Sequence, residues 1–128
     1  MDKVMDGCIF CKIIKGEIPS YKIYENEDVY AFLDINGKVV GHTLVVPKKH
    51  FKNILDIDEV NLCKVVSAVK LIANHYVDDL GFKGFNLQVN NGETAGQEVP
   101  HLHFHILPRG NDSFKGKSLQ EISNLLKM

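Results

Sequence analysis

No stretch of the chain approaches the ~18 consecutive apolar residues that a membrane-spanning helix requires, so a membrane protein is not expected. An excess of charge of either sign is missing too: 15 Lys and Arg against 16 Asp and Glu leave a net charge of −1. Such a balance offers no electrostatic footprint for nucleic acid or for an anionic lipid surface. Cysteine is scarce, and its odd count of 3 argues against a disulfide scaffold. The start, Met1 to Gly7, has acidic residues and lacks the apolar core of an export signal. These absences point to a reducing cytoplasm. Internal repeats, low-complexity segments and linkers are also lacking, so residues 1–128 read as one domain, long enough to bury a real core.

What is present is concentrated in His101-Leu102-His103-Phe104-His105-Ile106-Leu107, where histidine and large apolar residues alternate and half of the chain's 6 histidines fall. Alternation is the period of a β-strand. It places Leu102, Phe104 and Ile106 on one face, toward a core, and the three histidines on the other, about 7 Å apart. Three histidines in register are too many for an indifferent exposed face. Two chemical readings stay open on spacing alone: imidazoles at i, i+2 that ligate zinc, or an imidazole that acts directly as a nucleophile while its neighbours set its tautomer.

The rest of the chain supplies a framework. Cys8-Ile9-Phe10-Cys11 is a C-x-x-C pair with no strand before it, which suits half of a zinc site better than a thioredoxin-like redox motif. A short helical turn over 12–15 ends at Gly16 and Pro19. Residues 21–25 and 29–35 alternate as strands around the polar turn Asn26-Glu27-Asp28 and predict a hairpin. A third strand spans His42 to Pro47 and delivers His50 just past its exit, where by itself His50 reads as a solvated loop residue. From Asp56 to Leu80 the period becomes helical, with Leu62, Val65, Val66, Val69, Ile72, Ala73, Tyr76, Val77 and Leu80 on one stripe. Asp58 can cap its start and Gly81 its end, with Cys63 expected in the core and His75 in solvent. Residues 85–90 form another strand, and the loop 91–97 can present N–H groups to an anion. Glu98-Val99-Pro100 leads into the histidine strand, and Ser118-Leu119-Gln120-Glu121 is a capping box opening a helix that buries Leu119, Ile122, Leu125 and Leu126.

The run from His101 to Leu107 matches His-φ-His-φ-His-φ-φ and resembles the histidine-triad (HIT) superfamily. So, in the same order, do residues 8–14, 31–35, 41–48 and 96–97, and the resemblance extends over about residues 7–110. It implies an α+β fold, an antiparallel sheet of about five strands with one long helix and short terminal helices, commonly paired as a homodimer. It further implies hydrolysis or transfer at a nucleoside α-phosphate, of the purine nucleoside phosphoramidate type. The alternatives are a dinucleoside polyphosphate hydrolase and a nucleotide-binding module with incidental hydrolysis. By this resemblance His103 is the nucleophile, His105 protonates the leaving group, and the His101 carbonyl holds the His103 ring. Asp34 grips the ribose, Asn90 and Gln97 meet phosphate, Ile9, Phe10, Phe32 and Ile35 form the base pocket, and His42 stands behind the triad.

The zinc-carrying branch of the superfamily places its metal on four positions that here are Cys8, Cys11, His50 and His101. A Cys₂His₂ set closes a tetrahedral site, so the implied zinc is structural, with no organic cofactor. Metal and nucleophile then need not compete. The chain departs from many relatives in the loop Asn36-Gly37-Lys38-Val39-Val40, which lacks their proline, and in Glu98, where phosphoramidases often have serine. If Glu98 lies near His105, its charge favours an imidazolium there and repels extra phosphates. That predicts phosphoramidates to be hydrolysed faster than dinucleoside polyphosphates.

Overall fold

The computed structural model describes residues 7–128, so most of the segment read for an export signal lies outside the described residues. Helix α1 (Ile9–Ile14) starts where the Cys8 side chain accepts the Cys11 N–H and stops before Gly16, whose φ is +82°. Strands β1 (Lys22–Glu25) and β2 (Val29–Leu33) form the expected hairpin, with the Asn26 carboxamide oxygen accepting the N–H groups of Asp28 and Val29 at 2.8 Å each. Strand β3 (Thr43–Pro47) follows the 36–42 loop. Helix α2 (Glu59–Asn74) is capped by Asp58 as expected and continues through one wide turn, His75–Asp79, before Gly81 ends it at φ +79°. Strands β4 (Gly84–Gln88) and β5 (Phe104–Arg109) and the capping-box helix α3 (Leu119–Leu126) complete the chain.

The fold is α+β, and its five strands make one antiparallel sheet in the order β1-β2-β3-β5-β4. The last strand in sequence therefore lies inside the sheet, between β3 and β4. Alternation divides the apolar side chains between two layers. Ile23, Val29, Ala31, Leu33, Val45, Phe104 and Ile106 pack with α2 and α3, while Tyr30, Phe32, Leu44 and Val46 pack with Phe10, Cys11 and Ile13 of α1. Leu102 joins the α2 layer, so the predicted split between apolar residues and histidines holds.

Several expectations are corrected by the geometry. The regular strand begins at Phe104, not His101, because Leu102 N–H bonds to the Phe51 carbonyl at 2.7 Å instead of to a neighbouring strand. Cys63 is exposed and Val66 is 45% exposed, since the face of α2 that meets the sheet is narrower than the apolar stripe. Leu125 is likewise exposed, on the outer side of α3. His75 is not simply solvated: one ring nitrogen pairs with Asp79 at 2.8 Å and the other donates to the Leu126 carbonyl at 3.1 Å, tying α2 to α3.

Candidate active site

The face of β5 opposite α2 carries His105, and the irregular segment before it carries His101 and His103. Two hydrogen bonds orient that segment. His101 Nε2–H donates to the Pro47 carbonyl at 2.8 Å, and His103 Nδ1–H donates to the His101 carbonyl at 2.7 Å. The second bond puts the proton of neutral His103 on Nδ1 and leaves a lone pair on Nε2. Phe10 lies edge-on to the His103 ring, with centroids 5.1 Å apart.

His105 is held in the opposite sense. Lys38 N–H donates to His42 Nδ1 at 3.1 Å, so the His42 proton sits on Nε2, which lies 2.9 Å from His105 Nδ1. His105 thus accepts at Nδ1 and carries its own proton on Nε2. Among the described residues, that Nε2 is the one buried side-chain nitrogen or oxygen without a hydrogen-bond partner. An unpaired buried donor is costly, which marks the place of a ligand atom.

Burial lowers the pKa of all these rings. His103 is pushed below its usual value by burial, opposed by the His101 carbonyl and by the charges of Asp34 and Glu98. His105 is pushed down to about 4, first by burial and then by His103 and His42, while Asp34 acts the other way. Both rings are therefore uncharged at neutral pH. Glu98 is exposed and acts on His103, whereas the carboxylate that raises His105 is Asp34. The expected support of a His105 imidazolium by Glu98 is thereby replaced.

The histidines open into a cavity of about 440 Å³, within the range of small-molecule sites. Ile9, Phe10, Phe32, Asp34, Ile35, His42, Asn90, Glu98, His103 and His105 all line it. Ile9 and Ile35 are 47% and 67% exposed, as residues at an apolar mouth are. Asp34 Oδ1 accepts the Asn36 N–H at 2.9 Å, and Oδ2 lies 3.8 Å from His42 Nε2. Gln97 has a different task from the phosphate contact expected of it. Its oxygen accepts the Gly92 N–H, and its amide donates to the Lys52 and Val99 carbonyls, bracing the loop from inside. The wall also includes Ile18, Pro19 and Gln88, which lie outside the motifs, and Leu44 and Leu107, which lie inside them but were not expected to line a site.

Behind His103, four candidate ligands converge. Cys8 Sγ and Cys11 Sγ lie 3.4 and 3.6 Å from His101 Nδ1, and Cys11 Sγ lies 3.5 Å from His50 Nδ1. All four donor atoms fall within 4.8 Å of one another. With Zn–S near 2.3 Å and Zn–N near 2.0 Å, tetrahedral ligands sit about 3.5 Å apart. Because His101 Nε2 carries the proton given to Pro47, its Nδ1 offers a lone pair, and the set fits a zinc ion. Among the described residues, no helix is long and apolar enough to cross a membrane.

The HIT domain family matches residues 15–112. The chain is 48% identical over 118 residues to an HIT-like protein of Methanocaldococcus jannaschii, covering 92% of this chain and 91% of that protein. It is 43% identical over 106 residues to an adenosine 5'-monophosphoramidase of Saccharomyces cerevisiae, covering 83% of this chain and 65% of that one. The crystal structure of a zinc-bound histidine-triad family protein from Mycobacterium smegmatis superimposes with a TM-score of 0.85 at 33% identity, over 94% of this chain and 91% of that chain.

Proposed function

Since the chain belongs to the HIT domain family, we propose that it is a nucleotide-binding hydrolase that cleaves purine nucleoside phosphoramidates at the α-phosphate through a nucleotidyl-His103 intermediate. The observation that carries this reading is the His103 Nδ1–H bond to the His101 carbonyl, which leaves the Nε2 lone pair for the cavity. His103 Nε2 attacks phosphorus, the bond to the leaving amine breaks with its electron pair going to nitrogen, and that nitrogen takes a proton from the imidazolium form of His105, which returns to the neutral ring. The cation left on His103 is stabilised by the His101 carbonyl and by Asp34 and Glu98. Water then attacks phosphorus, gives its proton to His105, and the P–Nε2 bond breaks. The yeast relative's phosphoramidase activity supports this substrate class.

A second reading, with a phosphate or sulfate as the leaving group, is supported by the burial of His105 beside His103 and His42, which pushes its pKa down to about 4 and favours the neutral ring at pH 7. A departing amine needs full protonation, whereas a phosphate or sulfate leaving group needs only a hydrogen bond. In the first reading, the charge of the bound substrate phosphate raises the His105 pKa toward use.

We also assign one structural zinc to Cys8, Cys11, His50 and His101; zinc held there would supply no step of the reaction, but would fix His101, whose carbonyl orients the His103 ring. A homodimer is supported by strand β4, whose outer edge has no strand beside it among the described residues and whose Phe85 and Leu87 are 40% and 49% exposed.

The deciding experiment is rapid quench of an adenosine phosphoramidate reaction with mass spectrometry, run beside adenylyl sulfate and diadenosine polyphosphate. We expect adenylylated His103, and a loss of at least about 10³-fold in kcat for His103→Ala. An adduct on another residue overturns the nucleophile; higher kcat/KM for the anhydrides establishes the second reading.

A further inference from the structure

The loop between β2 and β3 does more than connect them. Its Lys38 amide is the origin of a directional chain: Lys38 N–H to His42 Nδ1 at 3.1 Å, then His42 Nε2–H to His105 Nδ1 at 2.9 Å, ending at the unpartnered His105 Nε2–H. Reversing the chain would require a proton on His42 Nδ1, pointing at the Lys38 N–H, and two donors cannot share one line. Before substrate binds, a doubly protonated His105 meets the same obstacle, because His42 would then have to accept at Nε2; the charge of a bound phosphate is what offsets it.

Gly37 makes the arrangement sterically possible. A Cβ at residue 37 would lie 2.7 Å from His42 Cβ, 3.2 Å from His42 Nδ1 and 3.0 Å from the Asp34 carbonyl. The loop is anchored from both sides, with Asn36 N–H on Asp34 Oδ1 at 2.9 Å and Gly37 N–H on the Asp34 carbonyl at 3.1 Å. This is also where the sequence departs from the proline-containing loop of many relatives.

We propose that Gly37 and the backbone amide of Lys38 are positioning groups that, through His42, fix His105 as a neutral Nε2–H donor aimed into the cavity. The working group at residue 38 is its amide, not its side chain. The neighbours that bear on the His105 ring are His42 and His103 beside it and the charges of Asp34 and Lys38. The kinetic consequence rests on the hydrolase reading above; the tautomer itself does not.

The test begins with substrate-free wild-type protein, whose histidine tautomers are read by long-range ¹H–¹⁵N NMR near neutral pH. We expect His42 and His105 both as Nε2–H forms, and either one as Nδ1–H overturns the proposal. A matched pair follows: the same Nε-protected lysine derivative placed at residue 38 through an amide or, as its α-hydroxy acid, through an ester. The ester lacks only the N–H, so we expect mixed tautomers at His42 and His105. In turnover it should lower kcat by about threefold to tenfold, the range for one lost hydrogen bond, with KM moving less. An ester protein with unchanged tautomers overturns the idea. If that chain does not fold, Gly37→Ala decides by the same spectrum, mixed tautomers supporting and wild-type tautomers refuting. Absence of turnover on every nucleotide, with the wild-type tautomers as stated, would count against the hydrolase reading alone.

Discussion

His103 and His105 stand two residues apart, yet their rings hold opposite tautomers, and that opposition leaves one with a free Nε2 lone pair and the other with a free Nε2–H. His103 gives its Nδ1 proton to a carbonyl, while His105 uses Nδ1 to accept from His42. The same environment makes the protein sensitive to acid. An unfolded His105 titrates near ~6.5, and in the folded protein it is pushed down to about 4. Folding therefore excludes a proton in that window. The associated stability is present above pH ~6.5 and is lost as pH falls through about 4. We expect wild-type protein to lose urea resistance between pH 7 and 4.5, and His105→Asn to lose less, by about 1–2 kcal/mol once screening of a partly exposed ring is allowed for. Equal losses in the two proteins would show that the His105 ring does not carry this effect.

At the scale of elements, the sheet is covered unevenly. Residues β2 and β3 contribute are buried on both faces, under α2 on one side and α1 on the other, whereas β4 is exposed along most of its length. Phe85 and Leu87 lie opposite Pro108 and Ile106, so they share the face on which Ile106 meets the α2 layer, beyond the reach of that layer. Gln88, opposite His105, turns to the cavity face. A second copy joined at this edge would cover both apolar side chains without touching the histidines. Leu87→Lys should therefore turn a dimer into a monomer by analytical ultracentrifugation, a lysine being among the side chains that block edge pairing. A wild-type monomer at micromolar concentration, or a mutant dimer, would exclude this edge as the interface.

For the whole molecule, the cluster of Cys8, Cys11, His50 and His101 joins parts distant in sequence: the start of α1, the exit of β3 and the segment before β5. Structural zinc sites in small peptides contribute roughly 10–16 kcal/mol of apparent binding free energy, comparable with the ~5–15 kcal/mol stability of an entire domain. Protein purified without chelators should hold one zinc per chain by elemental analysis. Chelation should lower its Tm by more than about 10 °C, since even a few kcal/mol shifts a domain of this size that far. Protein that is zinc-free as purified, and melts at the same temperature with or without chelator, would remove zinc from the account.

Periodicity in the sequence determined the elements, because side-chain direction follows backbone geometry: period two for the strands, three- and four-residue steps for α2, and Ser118 with Glu121 for the start of α3. The histidine face and the C-x-x-C pair were equally legible, since each is a local pattern of donor atoms. Tertiary structure alone decided what nonlocal packing controls. It sent the Gln97 amide inward, left Cys63 and Leu125 in solvent, and brought Lys38, His42 and His105 into one line. A tautomer depends on which partner each ring nitrogen meets, and the partners in that line, His42 and His105, stand 63 positions apart in the chain.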